Sequence, residues 1–241
     1  MIEKAGATSF LKPHLNANQY PVNSPPPKKE LNSSGLNIAV KNLSKRFNRE
    51  WIFNDLSYEF LPGNTYAITG PNGSGKSTFL QVVWGQLPQS SGEVVFKKGN
   101  ADIPIEDCFR YLSIATPYMD LIEEFTLTEM LNFHFKLKKI RPGHNLDQLL
   151  KILYLEDARE KPLSNFSSGM KQRVKLALAF YTDVEAFFLD EPGTNLDNRA
   201  FDWYIRELSL LPKQAMVFIA SNEPDDFPKS STILNIMDYK K

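Results

Sequence analysis

The chain has 241 residues, 42% hydrophobic and 23% charged, an ordinary globular composition with room for one large domain or a domain carrying a small insert. Lys and Arg number 28, as do Asp and Glu, so no net charge draws the protein to nucleic acid or to an anionic membrane. No apolar run approaches the roughly 20 residues that span a bilayer, which points to a cytosolic chain that leaves any spanning to another protein.

Residues 1–35 differ from the rest. Pro13, Pro21 and Pro25-Pro26-Pro27 stand among many Asn and Ser and are followed by Lys28-Lys29. That composition buries little apolar surface and reads as a flexible or extended leader, with docking through Phe10, Leu11 and Tyr20 as the alternative. The leader has no apolar signal core, and the first arginine of the chain is Arg46, which argues against a transit peptide.

A folded domain is expected over 36–241. Leu36 to Leu43 alternates apolar and polar residues, as a half-buried strand does. Ile52 to Phe60 reads as a second strand, Pro62-Gly63 as a turn, and Thr65-Tyr66-Ala67-Ile68-Thr69 as a third strand. Gly70-Pro71-Asn72-Gly73-Ser74-Gly75-Lys76-Ser77-Thr78 follows, and Phe79 to Trp84 can continue as a helix. The stretch fits G-x-x-x-x-G-K-[ST] in a strand–loop–helix context. Its glycines let successive backbone N–H groups turn inward, Lys76 can reach the outer phosphates, Ser77 can ligate Mg²⁺, and the helix N-terminus adds positive potential. The motif therefore predicts a nucleotide phosphate site.

Gly92 to Lys97 and Arg110 to Ala115 read as further strands, the latter halted by Pro117. Between them lies the single cysteine, Cys108, which excludes an internal disulfide, suits a reducing compartment and reads as a buried thiol. His14, His134 and His144 have no metal-ligand spacing. From Thr126 to Leu155 the pattern is helical, with a break at Arg141-Pro142-Gly143, and predicts a small helical subdomain over about 118–180 together with the Gly169–Tyr181 helix. Ala186-Phe187-Phe188-Leu189, capped by the acid Asp190, and Met216 to Ala220 are continuous apolar runs, the pattern of buried parallel strands. A helix over Arg199 to Leu211 separates them, and Ile233 to Met237 is a last strand. Strands alternating with helices predict an α/β layered domain with a parallel core sheet.

Asp190-Glu191 ends a buried strand and offers what a phosphate loop needs beside it, a carboxylate for the Mg²⁺ shell and a general base. Taken alone, an acidic strand end is also simply a solvated terminus. Two flanking stretches add to it: Phe166-Ser167-Ser168-Gly169-Met170-Lys171-Gln172-Arg173 upstream and Pro192-Gly193-Thr194-Asn195-Leu196-Asp197 downstream.

With these four motifs in this order and spacing, residues 36–240 resemble the ATP-binding cassette (ABC) ATPases, and the signature form looks most like bacterial export-type cassettes. The resemblance implies a P-loop NTPase fold of the ABC type, with a mixed or parallel core sheet flanked by helices, N-terminal antiparallel strands and a helical insert. It implies ATP and Mg²⁺ as cofactors. Ser167, Ser168 and Gly169 would meet the γ-phosphate of ATP bound to the opposite subunit. Asp190 would hold the Mg²⁺ shell through water with Ser77 as a direct ligand, Glu191 would polarise the attacking water, and Asp197 would bridge the subunits. Phe47 occupies the place of the aromatic ring that stacks on adenine, with ordinary packing as its alternative and Trp51 or Tyr66 as substitutes.

Two family positions depart from the pattern. No glutamine occurs between Gln89 and Gln148, so Thr116 or Pro117 fills the position of the glutamine loop. The last histidine is His144, so Asn222 fills that of the switch histidine; it can donate a hydrogen bond but carries no charge. Slow but real hydrolysis is expected.

The function implied is that of the ATPase subunit of an ABC transporter, a homodimer or a pair with a related subunit, acting on a transmembrane permease from the cytoplasmic face of the inner membrane and without nucleic acid. Tyr118 to Phe125 would receive the permease. A soluble ATP-gated switch or assembly factor is the alternative. A DNA-repair cassette would need a long coiled-coil insertion, which the chain lacks.

Overall fold

The computed structural model describes residues 35–240. The leader therefore lies outside the described residues, except for Gly35.

Two sheets carry the fold. The first is antiparallel and contains β1 (Leu36–Phe47), β2 (Glu50–Phe60), β4 (Ser91–Lys98) and β5 (Ala101–Ile103) in the order β2-β1-β4-β5. The second is parallel and contains β3 (Thr65–Thr69), β6 (Leu112–Ala115), β7 (Ala186–Asp190), β8 (Met216–Ala220) and β9 (Thr232–Asn235) in the order β6-β7-β8-β3-β9. The helices are α1 (Lys76–Val83), α2 (Leu127–Leu137), α3 (Leu146–Leu153), α4 (Ser168–Phe180) and α5 (Asn198–Ser209).

All five residues of β7 and all five of β8 are buried, as their unbroken apolar runs require of strands covered on both faces. Their side chains divide by the two-residue period of a strand. Phe188 and Phe218 point toward the antiparallel sheet and stack with ring centroids 4.4 Å apart, in a core shared with Phe53, Phe60, Tyr66 and Phe79. Phe187, Leu189, Val217 and Ile219 face the opposite layer, among residues of α2 to α5.

Several boundaries differ from the sequence reading. Bulges in its pairing carry β1 through to Phe47, so β1 and β2 form one hairpin that places Trp51 opposite Arg46. The short strand β5 and a 3₁₀ turn over Ile105–Arg110 had no periodic signal, and the strand expected from Arg110 begins at Leu112. The last strand stops at Asn235, where Asn235 Oδ1 accepts a hydrogen bond from the Met237 N–H and the chain turns into a 3₁₀ segment.

The helical region of 126–155 is two helices, each opened by a capping box: Thr126 with Glu129, and Asn145 with Gln148. Cys108 is buried. Among the described residues no helix is long and apolar enough to cross a membrane.

Candidate nucleotide site

The order of the parallel strands positions the site. Ala220 on β8 lies in register with Ile68 on one side and Asp190 on the other. The phosphate loop and the acidic strand end therefore leave the sheet at the same carboxyl edge, where open α/β sheets place their ligands. An open cleft of about 690 Å³ lies there, lined by residues 72–78 together with Asp190 and Glu191.

Loop geometry accounts for its glycines at two points. Gly75 precedes α1 with φ +108°, and a Cβ there would lie 2.3 Å from Ile52 Cγ2. At Gly70, φ is +144° and a Cβ would meet Ser74 Oγ at 2.7 Å. The start of α1 carries no acidic residue and no side-chain cap, so its first N–H groups remain available to an anion. Ser74 Oγ is buried without a hydrogen-bond partner among the described residues, a polar group that a phosphate oxygen would satisfy.

Lys76 is only 5% exposed. Its ammonium donates to the carbonyls of Gly70 at 3.0 Å and Pro71 at 3.4 Å and lies 3.5 Å from Glu191 Oε1. Ser77 Oγ donates to Asp190 Oδ1 at 3.0 Å. A hydroxyl beside a buried carboxylate is a hard-oxygen donor set that fits Mg²⁺. Burial pushes the Asp190 carboxyl up to about 6; the Ser77 hydrogen bond opposes the rise, Glu191 adds to it, and Lys76 lowers it.

That shift has a sign for stability. From the ordinary value of 3.8 up to about 6, folded Asp190 keeps a proton that the unfolded chain releases. Stability is therefore lost as pH rises through this window and is not recovered at neutral pH. Asp190→Asn is expected to stabilise the nucleotide-free protein by about 2–3 kcal/mol near neutral pH, with the gain fading below about pH 4. Thermal melts of both proteins across pH check this; a gain that grew on acidification would contradict it.

Glu191 takes φ +46°, a left-handed conformation uncommon for a residue other than glycine. Its N–H donates to the Ala220 carbonyl at 2.8 Å, and its own carbonyl accepts from Thr194 N–H at 3.1 Å.

The structure thus brings Lys76, Ser77, Asp190 and Glu191 together. Other expected residues lie elsewhere. Ser167 caps α4, its Oγ accepting from Met170 N–H at 3.2 Å, and Ser168 and Gly169 form the first turn. That turn packs on the downstream loop, since a Cβ at Gly169 would lie 2.8 Å from the Asn195 carbonyl oxygen. Asp197 caps α5 by accepting from Ala200 N–H at 2.8 Å. None of these four residues lines the cleft of its own chain. Asn222 is exposed beyond the end of β8 and also lies outside the lining.

Phe47 is half-exposed at the β1–β2 hairpin, with Lys45 Nζ 4.9 Å from its ring centroid. Tyr66 cannot substitute for it: the ring is fully buried and its hydroxyl accepts from Leu61 N–H at 2.7 Å. Pro117 lines the cleft at the place considered for the missing glutamine, while Thr116 is buried beside it. The Pro117 carbonyl is anchored by Lys175 Nζ at 2.8 Å.

Sequence reasoning did not place Ile52, Gln81, Tyr118 or Thr194 in the lining. Tyr118, in the segment expected to receive the permease, lines the cleft while 79% exposed. Ile52 reaches the cleft because β2 packs against the phosphate loop at Gly75, a contact between segments that no local pattern marks.

A family profile described as "ABC transporter" matches residues 53–194. The spermidine/putrescine import ATP-binding protein PotA of Thermotoga maritima is 30% identical over 180 residues, which cover 73% of this chain and 49% of that protein. The chain thus spans about half of that relative's length. The uncharacterized ABC transporter ATP-binding protein YybJ of Bacillus subtilis is 27% identical, over 78% of this chain and 87% of its own. A solved ATP-binding subunit of an ABC transporter superposes with a TM-score of 0.71 at 22% identity, covering 83% of this chain and 85% of that one.

Proposed function

Because the chain belongs to the ABC transporter family, we propose that it is the ATP-binding and hydrolysing subunit of a transporter, closing in pairs around two ATP molecules to drive a separate membrane permease. The observation that carries this reading is the convergence of Lys76, Ser77, Asp190 and Glu191 at one edge of the parallel sheet. The loop amides, Ser74 Oγ and Lys76 would hold the phosphates, with Ser77 and Asp190 holding Mg²⁺. The metal, when bound, neutralises charge on the phosphate oxygens.

Glu191 faces the cleft with a quarter of its side chain exposed. It would orient the attacking water and accept its proton. Ser167 to Gly169 lie outside their own chain's cleft and would complete the site of the paired subunit, to which they present a helix N-terminus. Asp197 would stand at the seam between the two. Phe47, exposed beside Lys45, would stack on the adenine. With Pro117 and Asn222 at the two sensor positions, turnover is expected to be slow, because a lost transition-state hydrogen bond costs about a hundredfold.

The family relationship and the absence of a membrane-spanning helix among the described residues support a subunit held at the cytoplasmic face by a permease. Purification of the tagged chain from detergent-solubilised membranes tests this. A stoichiometric multi-span partner that raises ATP turnover is expected. A soluble partner alone would favour an ATP-gated switch. Basal turnover equal to that of Lys76→Ala, with the partner present, would refute hydrolysis.

A further inference from the structure

We infer that Asp226 is a positioning residue for hydrolysis: it pins the turn that follows Glu191 to the turn that follows β8, and so holds the Glu191 carboxylate at the cleft. The inference rests on the reading of Glu191 as the base.

Asp226 is 4% exposed and ends the short 3₁₀ turn Pro224–Asp226. Its Oδ2 accepts from Ser221 Oγ at 2.6 Å, and its Oδ1 packs directly against Gly193. Ser221 follows β8 directly and accepts in turn from Glu223 N–H at 3.0 Å. The backbone of Asp226 is held as well, its carbonyl accepting from the Tyr204 hydroxyl at 2.5 Å. A Cβ at Gly193 would fall 2.2 Å from Asp226 Oδ1, so only glycine lets the carboxylate come this close. One buried carboxyl group thus joins two loops that meet at the carboxyl edge of the sheet.

Glu191 supplies the reason such a clamp is needed. Its left-handed backbone is strained and persists only where the surroundings over-determine it. The next two residues are gripped from both sides. Gln172 of α4 donates to the Pro192 carbonyl at 3.0 Å, and the Asp226 carboxyl group packs against Gly193. Asp226 does not line the cleft, so its influence passes through Glu191 rather than through direct contact with nucleotide. Loss of the clamp should misplace the base without removing any phosphate-binding group.

The test compares steady-state ATP hydrolysis, KM for ATP and ATP-dependent pairing in the full chain and its Asp226→Ala, Asp226→Asn, Ser221→Ala and Glu191→Gln variants. Asp226→Ala is expected to lower kcat about tenfold to a hundredfold, with KM and pairing unchanged. Asp226→Asn, which keeps the shape that packs against Gly193 and an oxygen for the Ser221 hydroxyl, should recover most of the loss, and Ser221→Ala should show a smaller fall in kcat. Adding Asp226→Ala to Glu191→Gln should slow hydrolysis no further.

Wild-type kcat in Asp226→Ala, a fall matched by a rise in KM, or additive effects in the double variant would overturn the inference. Should Asp226→Ala fail to fold, Asp226→Asn and Ser221→Ala at wild-type kcat would overturn it equally. Turnover unaffected by Glu191→Gln would overturn the assignment of the base itself, and this inference with it. Turnover lost in Glu191→Gln but intact in Asp226→Ala would overturn the clamp alone.

Discussion

Glu191→Gln is expected to slow ATP hydrolysis by at least about a hundredfold, equivalent to about 3 kcal/mol on the barrier, while ATP-dependent pairing persists or strengthens. Glutamine matches the shape of glutamate and can still accept from the Lys76 ammonium, which lies 3.5 Å from the carboxylate. What it loses is basicity, because an amide takes no proton from water at neutral pH. The phosphate-binding amides, Lys76 and the Ser77–Asp190 pair are untouched, so nucleotide affinity should hold. Single-turnover hydrolysis measured beside light scattering in ATP separates the two effects. A variant that hydrolyses at the parental rate would remove Glu191 from the mechanism.

Lys76→Ala should have the opposite profile, abolishing ATP-dependent pairing rather than merely slowing turnover. Lys76 is the one cationic side chain among the described residues that line the cleft. No histidine follows His144 in the sequence, and Asn222 sits exposed outside the lining. On the proposed reading, the γ-phosphate would draw its positive partners from Lys76, the loop amides and the paired subunit. Truncation removes that cation and leaves the Glu191 carboxylate facing the phosphates without its neighbour, so repulsion adds to the loss. ATP affinity is expected to fall about a hundredfold or more, measured by calorimetry, with no ATP-induced change in mass. A variant that still pairs in ATP would show that the amides and the partner suffice.

The sequence by itself determined the phosphate loop, because its glycines, Lys76 and Ser77 act through spacing within nine residues. It also determined that Ala186–Asp190 and Met216–Ala220 are buried strands, because a run whose only polar residue is its terminal Asp190 must be covered on both faces. Burial on two faces does not specify neighbours. Only the tertiary structure decided that β8 lies between β7 and β3, and this order alone brings Ser77 to Asp190 across 113 residues of chain.

It also decided that Ser167 and Asp197 cap helices in their own chain, that Tyr66 is sealed in the aromatic core, and that Tyr118 stands at the cleft. Asp226 is the clearest case. In the sequence it is one acid in a polar run, and its partners Ser221, Gly193 and Tyr204 come from three different segments. Periodicity and turn chemistry report what a residue does to its own backbone. Which buried carboxyl group meets which distant loop is set by sheet order and packing, and those exist only once the chain has folded.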